Sequence, residues 1–338
     1  MPSIHRRRGW EIPERLATPE ALYWNRREFL RAMGLGSIGA AALLAGCGAG
    51  AGGDPGGGEA TPGVKNAAQP SAALNFDPAS PGIYPAARNA TYTLDRALTD
   101  EKVAAAYNNF YEFTTQKDRV WRMTDRFRTR PWRIEVAGLV EKETAIDVDD
   151  LVKTMPVEER TYRHRCVEAW AMAVPWTGFP MKAFIDWAEP SSGARFVRMV
   201  SFLRPDEAPG QAPGSGYPWP YFEALRMEEA MNELAFLVIG IYGHPLPKQH
   251  GAPIRLATPW KYGYKSAKSI VRFEFTSEQP PTFWNTVAPS EYGFLSNVNP
   301  KVPHARWSQA TERLIDTGEV VKTQPFNGYG EYVARLYR

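Results

Sequence analysis

The sequence predicts an α+β fold in which mixed β-sheets are accompanied by short helices, rather than a doubly wound α/β sheet. The chain has 338 residues, of which 43% are hydrophobic and 23% charged, as is typical of globular proteins. Its 28 glycines and 29 prolines indicate many loops. Strand-like segments outnumber helix-like ones, and the helix-like ones are short. The length suits one large domain or two ordinary ones.

The predicted elements follow from hydrophobic periodicity and from turn and capping residues. Residues 132–139 alternate in polarity as a half-buried strand does, whereas residues 235–242 are almost wholly apolar and predict a buried strand. The further predicted strands are 160–165, 195–202, 254–259 and 269–276. A helix over 146–155 would begin at Asp147, and a helix over 181–188 would end before Pro190. Residues 226–231 predict a third short helix.

The N-terminal segment resembles an export signal. Arg26 and Arg27 are followed by Phe29 and Leu30 and then by a Gly- and Ala-rich apolar stretch, which is too short and too weakly apolar to span a membrane. Paired arginines before such a stretch are typical of twin-arginine export signals. The alternative is a cytosolic amphipathic helix.

The sequence divides into three regions. Residues 1–47 form the predicted twin-arginine signal peptide, whose end, Leu44 to Cys47, resembles a bacterial lipobox. Either Cys47 is acylated or an ordinary signal peptidase cleaves nearby. Residues 48–75 are Gly-rich and predict a flexible linker. Residues 76–338 form the predicted folded domain. The expected location is therefore the periplasm, with attachment to the membrane if Cys47 is acylated.

Charge and cysteine content exclude several functions. The net charge of +3 comes from the first 46 residues, which hold seven Arg and four Glu, so no nucleic-acid partner is expected. Only two cysteines are present, Cys47 and Cys166, and no C-x-x-C-H motif occurs. Disulfide frameworks, four-cysteine iron–sulfur clusters and c-type haem are therefore excluded, and the five histidines have no zinc-ligand spacing.

Cys166 is the candidate reactive residue. Arg163, His164 and Arg165 precede it and Glu168 follows. Positive neighbours favour a thiolate, which could serve as a nucleophile or as a soft-metal ligand, although a lone cysteine is more often a small buried apolar residue. A Cys–His hydrolase would need a local nucleophile motif, which the sequence lacks.

Six segments, in order, carry a resemblance to a known family. They are residues 107–113 (YNNFYEF), 162–176 around Cys166, 250–256 (HGAPIRL), 259–269 (PWKYGYKSAKS), 291–300 (EYGFLSNVNP) and 306–313 (RWSQATER). Together they resemble the sulfite oxidase superfamily, and most closely the molybdopterin-containing catalytic subunits of protein-methionine-sulfoxide reductases. The resemblance covers nearly all of residues 76–338. It implies a sulfite-oxidase-like molybdopterin-binding catalytic domain with mixed sheets and a barrel-like core.

The resemblance also implies the ligands of one Mo-molybdopterin per chain. Cys166 would bind molybdenum as the catalytic thiolate, a soft ligand suited to a redox-active metal whose other sulfurs come from the pterin. Arg255 and Lys268 would bind the phosphate. In the best-known family member, Thr stands at the position of Ser201 and Asn at that of His250. Lys265 is a weaker candidate for a cofactor contact. The implied cofactor contacts are Asn108, Tyr111, Glu112, Ser201, His250, Arg255, Ser266, Ala267 and Lys268.

The implied function is reduction of methionine sulfoxide in exported proteins. Electrons would come from a membrane haem-binding subunit in a heterodimer, and oxidised proteins would be the substrates. The alternatives are sulfite oxidation, reduction of other S- or N-oxides, and a metal-free binding lipoprotein. Sulfite oxidases of the superfamily commonly carry a C-terminal dimerisation domain, for which we expect no room after Arg313, and this favours the reductase.

Overall fold

Twelve β-strands provide the framework of the part of the chain that the computed structural model describes, namely residues 74–77 and 82–338. The predicted export signal, the lipobox-like end and most of the predicted linker lie outside these residues. The strands are β1 (Arg133–Gly138), β2 (Thr144–Asp147), β3 (Glu158–Arg165), β4 (Trp170–Pro180), β5 (Phe196–Ser201), β6 (Phe222–Arg226), β7 (Phe236–Ile241), β8 (His244–Pro245), β9 (Arg255–Ala257), β10 (Ile270–Thr276), β11 (Thr311–Leu314) and β12 (Val320–Lys322).

The strands form two mixed sheets. The five-stranded sheet has the order β2-β1-β10-β5-β6, in which only β1 and β10 run parallel. The seven-stranded sheet has the path β12-β11-β4-β7-β8, with β3 paired to β4 and β9 paired to β7. This architecture confirms the predicted α+β class, and two open sheets stand where a barrel-like core was expected.

The helices are short. The α-helices are α1 (Glu101–Ala106), α2 (Val148–Lys153), α3 (Met181–Ala188), α4 (Met227–Ala230), α5 (Phe283–Val287) and α6 (Gly330–Val333). Short 3-10 helices occupy Val120–Arg122, Pro209–Gln211, Lys248–His250, Gly263–Lys265, Pro325–Gly328 and Ala334–Tyr337. As predicted, Asp147 caps α2, because its carboxylate accepts the backbone N–H of Asp149. No helix in the described ranges is long and apolar enough to cross a membrane.

A long antiparallel hairpin, β3–β4, carries Cys166 at its turn. All eight residues of β3 pair with β4, and the chain reverses between Arg165 and Trp170. The N–H of Cys166 donates to the Trp170 carbonyl (2.9 Å), and the N–H of Ala169 donates to the Cys166 carbonyl (3.1 Å). The hairpin therefore fixes the backbone on both sides of the thiol.

The hairpin crosses the main hydrophobic core. Every residue of β4 up to Phe179 is buried, as is every residue of β7. Such continuously apolar strands are covered on both faces. The turn that holds Cys166 thus extends from a rigid, fully covered part of the sheet.

Candidate active site

One cleft brings together eight of the ten predicted site residues. It encloses about 920 Å³ of space, including part that opens to solvent. The predicted residues that line it are Asn108, Tyr111, Glu112, Cys166, His250, Arg255, Ser266 and Lys268. Three loops supply most of them: the segment after α1, the β3–β4 turn, and the segment on either side of β9.

Cys166 is buried and lies among hydrogen-bond donors. Its Sγ accepts from Asn109 Nδ2 and from the backbone N–H of Glu168, each at 3.4 Å. Burial and then the negative charge of Glu168 raise the pKa of the thiol to about 12. A metal cation bound to Sγ would instead lower the pKa of the thiol, because a coordinated thiol is deprotonated.

Asn109 and Glu168 complete the surroundings of the thiol, and sequence reasoning missed both. Oε2 of Glu168 accepts from Asn109 Nδ2 (3.0 Å) and Trp170 Nε1 (3.2 Å) and pairs with Lys117 Nζ (3.1 Å). Burial alone would raise the pKa of Glu168, but these donors bring it below its usual value. The sequence did contain features that could have identified both residues. Asn109 lies within the 107–113 segment, and Glu168 lies two residues from Cys166.

Two buried cations face the cleft without a carboxylate hydrogen-bonded to them in the described ranges. Arg255 donates from Nη1 to the His250 carbonyl (2.9 Å) and from Nε to the Leu256 carbonyl (3.2 Å). Lys268 Nζ donates to the Asn109 carbonyl (2.8 Å). Burial lowers the pKa of Arg255 to about 10, so its guanidinium stays charged at neutral pH. These cations can bind an anionic group such as a phosphate.

His250 is held in its neutral form next to Asn108. Its Nδ1 lies 3.3 Å from Asn108 Nδ2, which places the imidazole proton on Nε2. Burial, followed by the charge of Arg255, lowers the pKa of His250 to about 3. The turn after His250 needs Gly251, because its φ is +94° and an added Cβ would lie 2.6 Å from the Lys268 Cβ. Gly251 therefore allows the His250 and Lys268 segments to approach.

Glu112, Tyr111 and Ser266 line the remaining walls. Glu112 is buried, and burial raises its pKa despite the charge of Lys268. Tyr111 packs edge-on against Trp284 with ring centroids 5.4 Å apart. Ser266 Oγ accepts the backbone N–H of Thr258 (3.3 Å). These side chains add polar and aromatic surface to the cationic wall.

Ser201 and Ala267 do not line the cleft, although both were predicted to contact the cofactor. Ser201 Oγ donates to the Lys268 carbonyl (2.6 Å), so its hydroxyl stabilises the backbone at Lys268 and does not line the cleft. The Ala267 carbonyl accepts the N–H of Leu256 (2.8 Å). Lys265, the weaker candidate, is paired with the buried Glu223 (2.5 Å) and is absent from the cleft wall.

The donors of the cleft fit a molybdopterin. No group of three or more His, Cys, Asp or Glu side chains within residues 74–77 and 82–338 is placed to hold a metal ion, so a metal at Cys166 needs further ligands from a cofactor. The side-chain oxygens of Asn108 and Asn109 are buried without a hydrogen-bond partner in the same ranges. Such acceptors, together with two cations and a soft thiol, match the polar edges, phosphate and metal of that cofactor.

This donor set belongs to a molybdopterin-binding oxidoreductase, and comparison with known proteins agrees. The profile described as "Oxidoreductase molybdopterin binding domain" matches residues 122–284. The chain is 45% identical over 334 residues to the protein-methionine-sulfoxide reductase catalytic subunit MsrP of Burkholderia mallei, covering 98% of this chain and 94% of the relative. The chain therefore belongs to the family of protein-methionine-sulfoxide reductase catalytic subunits, which confirms the resemblance carried by the six segments.

A solved structure with some likeness is the sulfane dehydrogenase SoxCD from Paracoccus pantotrophus. The superposition has a TM-score of 0.37 and 18% identity, and it covers 45% of this chain and 40% of that one.

Proposed function

We propose that this protein is the catalytic subunit of a molybdenum-dependent reductase that repairs methionine sulfoxide residues in exported, periplasmic proteins. The observation that carries the proposal is the position of Cys166, a single buried thiol at a rigid hairpin turn in a cleft that also holds Arg255 and Lys268. Family membership supports the substrate class. Methionine sulfoxide is a polar product of methionine oxidation, and its reduction restores the apolar side chain.

The reaction consumes two electrons and two protons and converts a sulfoxide to a thioether and water. When bound, the molybdenum cofactor supplies the two-electron chemistry. Cys166 would ligate the metal through Sγ, and Arg255 and Lys268 would bind the cofactor phosphate. Asn109 holds its amide N–H groups toward the Cys166 sulfur and the Glu168 carboxylate. Because Asn109 is fixed by both partners, it would orient the thiolate that faces the reacting centre.

The aromatic wall of the cleft suits a sulfur-containing side chain. Trp284 packs against Tyr111 at 5.4 Å and against Tyr292 at 5.3 Å, and all three line the cleft. Sulfur next to aromatic rings is favourable by a few tenths to about 1.5 kcal/mol. The part of the cleft that opens to solvent would admit a methionine side chain that is still attached to a protein.

The electron donor is proposed to be a membrane haem-binding subunit, and the location the periplasm, reached by the twin-arginine route. The paired Arg26 and Arg27 support the route, and the lipobox-like end at Cys47 supports a lipid anchor. Mass spectrometry of the mature N-terminus tests both. An acylated Cys47 at the N-terminus is expected, and an unmodified N-terminus downstream of Cys47 would reject the anchor.

The function is tested by measuring molybdenum content and dye-driven sulfoxide reduction in the protein and in Cys166→Ser. The parent should contain close to one molybdenum per chain and reduce methionine sulfoxide far faster than it oxidises sulfite. The variant should lose activity while keeping its melting temperature. Preferred turnover of sulfite or of other S- or N-oxides would replace the proposed substrate. A well-folded parent without molybdenum, made in a host that synthesises the pterin, would indicate a binding lipoprotein.

A further inference from the structure

Residues 116–127 form consecutive turns that have one buried side and one exposed side. The N–H groups of Arg119, Arg122, Met123 and Phe127 each donate to the carbonyl three residues earlier. The buried side consists of Val120, Thr124 and Phe127, all 0% exposed. The side that faces solvent holds Arg119, Arg122, Met123 and Arg126, together with Gln116, Asp118 and Asp125. We refer to Arg119, Arg122, Met123 and Arg126, with the half-buried Trp121, as the basic face.

The segment that contains the basic face has an excess of positive charge, even with the exposed Asp118 and Asp125 included. Residues 117–133 contain seven basic and two acidic side chains, whereas the sequence after residue 46 is balanced overall. Nearby arginines have partners: Arg128 pairs with Glu207 at 3.1 Å and Arg130 with Asp149 at 2.9 Å. Arg119, Arg122 and Arg126 form no ion pair with any residue in the described ranges.

The apolar members of the face are also placed at the surface. Met123 is 36% exposed. Trp121 stacks under the Arg122 guanidinium, which lies 4.7 Å from its ring centroid, and its Nε1 donates to the Asp118 carbonyl (3.1 Å). A tryptophan whose polar edge is satisfied and whose ring lies beside an arginine resembles the side chains that occupy the boundary between water and lipid.

The basic face lies where the N-terminal region joins the folded domain. Asn75, in the first described segment, donates from Nδ2 to the Asp125 carboxylate (2.8 Å), one residue before Arg126. Cys47, the proposed acylation site, precedes Asn75 by about 28 residues in the sequence.

We propose that the basic face binds the anionic phospholipid headgroups of a membrane surface. Clustered cations attract anionic headgroups through their charge, and together with a lipid anchor they supply the second signal that stable membrane attachment requires. Lys117, two residues before Arg119, pairs with Glu168 beside the Cys166 thiol. Docking through this face would thus bring the cleft near the membrane plane. Binding depends on these surface residues and not on the reaction, so it can fail without affecting the proposed function.

The test is co-sedimentation with vesicles, using the full chain, its triple variant Arg119→Glu/Arg122→Glu/Arg126→Glu and a charge-matched control, Lys142→Glu/Arg195→Glu/Lys301→Glu. The control residues are exposed and lie outside the face. Vesicles of phosphatidylcholine are compared with vesicles in which about one-third of the lipid is phosphatidylglycerol. Each cation near an anionic surface contributes about five-fold to binding. The face variant should therefore bind anionic vesicles about a hundred-fold more weakly than the parent, and the control less than ten-fold.

Two further measurements separate charge from folding. All three proteins should have the same melting temperature and the same dye-driven activity.

The triple Arg→Lys variant should keep most of the binding to anionic vesicles. An ionic strength of about 1 M, where the Debye length is about 3 Å, should abolish that binding. Equal binding by the face variant and the parent, or an equal loss in the control, would overturn the proposal. If the face variant binds vesicles normally but receives electrons more slowly from donor-containing membranes, the face belongs to a protein partner instead.

Discussion

Asn109 Nδ2 lies 3.4 Å from Cys166 Sγ, so an amide from the segment after α1 faces the thiol across the cleft. The same nitrogen lies 3.0 Å from Glu168 Oε2. A single side chain therefore links two residues of the β3–β4 turn to a separate loop.

Replacing Asn109 should reduce catalysis more than cofactor content. Asn109→Ala removes the N–H donor from the sulfur and from Glu168, and loss of a partner that orients a metal ligand typically costs 10- to 100-fold. We expect kcat for sulfoxide reduction to fall by about that factor, while molybdenum content, measured by mass spectrometry, stays within about two-fold of the parent. Unchanged kcat with an unchanged absorption spectrum of the metal centre would show that Asn109 does not orient the thiolate.

Replacing Arg255 should separate cofactor retention from stability. Its guanidinium is buried, and within residues 74–77 and 82–338 it hydrogen-bonds only carbonyl oxygens. Arg255→Met removes a cation that would bind the cofactor phosphate, but it also removes a charge that is costly to bury. We expect pterin and molybdenum content to fall at least ten-fold, while the cofactor-free protein melts no lower than the parent. Arg272→Met, at an exposed arginine paired with Glu135, is the control and should retain the cofactor. Full cofactor content in Arg255→Met would contradict the phosphate-binding role.

The burial of His250 should destabilise the folded state as the pH falls below the ordinary titration range of histidine, whereas Glu112, whose pKa is raised by burial, acts in the opposite direction. His250 is neutral when folded, with a pKa of about 3, whereas its value in the unfolded chain is near 6.5. Between these values the unfolded chain binds the additional proton, so the free energy of unfolding decreases as the pH falls. The contribution of His250 is about 1–2 kcal/mol by pH 5.

Urea unfolding of the cofactor-free protein at pH 7 and pH 5 measures this effect. His250→Asn removes the titrating group and should flatten the pH dependence. His164 has a depressed pKa for the same reason, burial, so part of the slope should remain in the variant. A His250→Asn variant whose stability changes with pH as much as that of the parent would mean that His250 protonates freely in the folded state.

The sequence predicted most of the strands and helices, but it missed β4, the strand at the centre of the seven-stranded sheet. The helix predicted over 181–188 has the observed bounds of α3, and the predicted strands each overlap an observed strand. By contrast, β4 was not predicted, although it is the longest strand and pairs with β3, β7 and β11. Its Pro175 argues against a strand at the sequence level, because proline is rarely found within a central strand.

The site residues, like the strands, could be predicted only in part from the sequence. Arg255 and Lys268 could be selected because their charge suits a phosphate, and the cleft contains both. Ser201 was chosen by position within a matched segment, but its hydroxyl is used by the Lys268 carbonyl. Glu168 was noted as a neighbour of Cys166 but was not among the predicted site residues, because the sequence alone could not show on which side of the chain its carboxylate lies. The tight turn between β3 and β4, rather than alternation, brings its carboxylate near the thiol.

A buried ion pair outside the cleft should be a main determinant of stability. Lys261 Nζ lies 2.6 Å from Glu229 Oε1, and both side chains are 0% exposed. Lys261 also donates to the Leu295 carbonyl (2.7 Å) and to Asn297 Oδ1 (2.9 Å). Burial would raise the pKa of Glu229, but the charge of Lys261 and the hydroxyl of Tyr337 bring it below its usual value.

Lys261→Met should therefore cost about 3–5 kcal/mol, because it leaves the Glu229 carboxylate buried without its ammonium partner. The double variant Glu229→Met/Lys261→Met removes both charges and should be more stable than Lys261→Met, because two apolar side chains leave no buried charge of this pair without a partner. Urea unfolding of the parent, of the single variants Lys261→Met and Glu229→Met, and of the double variant measures the coupling between the two residues. Lys182→Met, at an exposed pair with Asp186, should change stability by less than about 1 kcal/mol and serves as the control. A double variant less stable than either single variant would mean that the hydrogen bonds of Lys261 to the 295–297 loop, and not the charge pair, hold this region together.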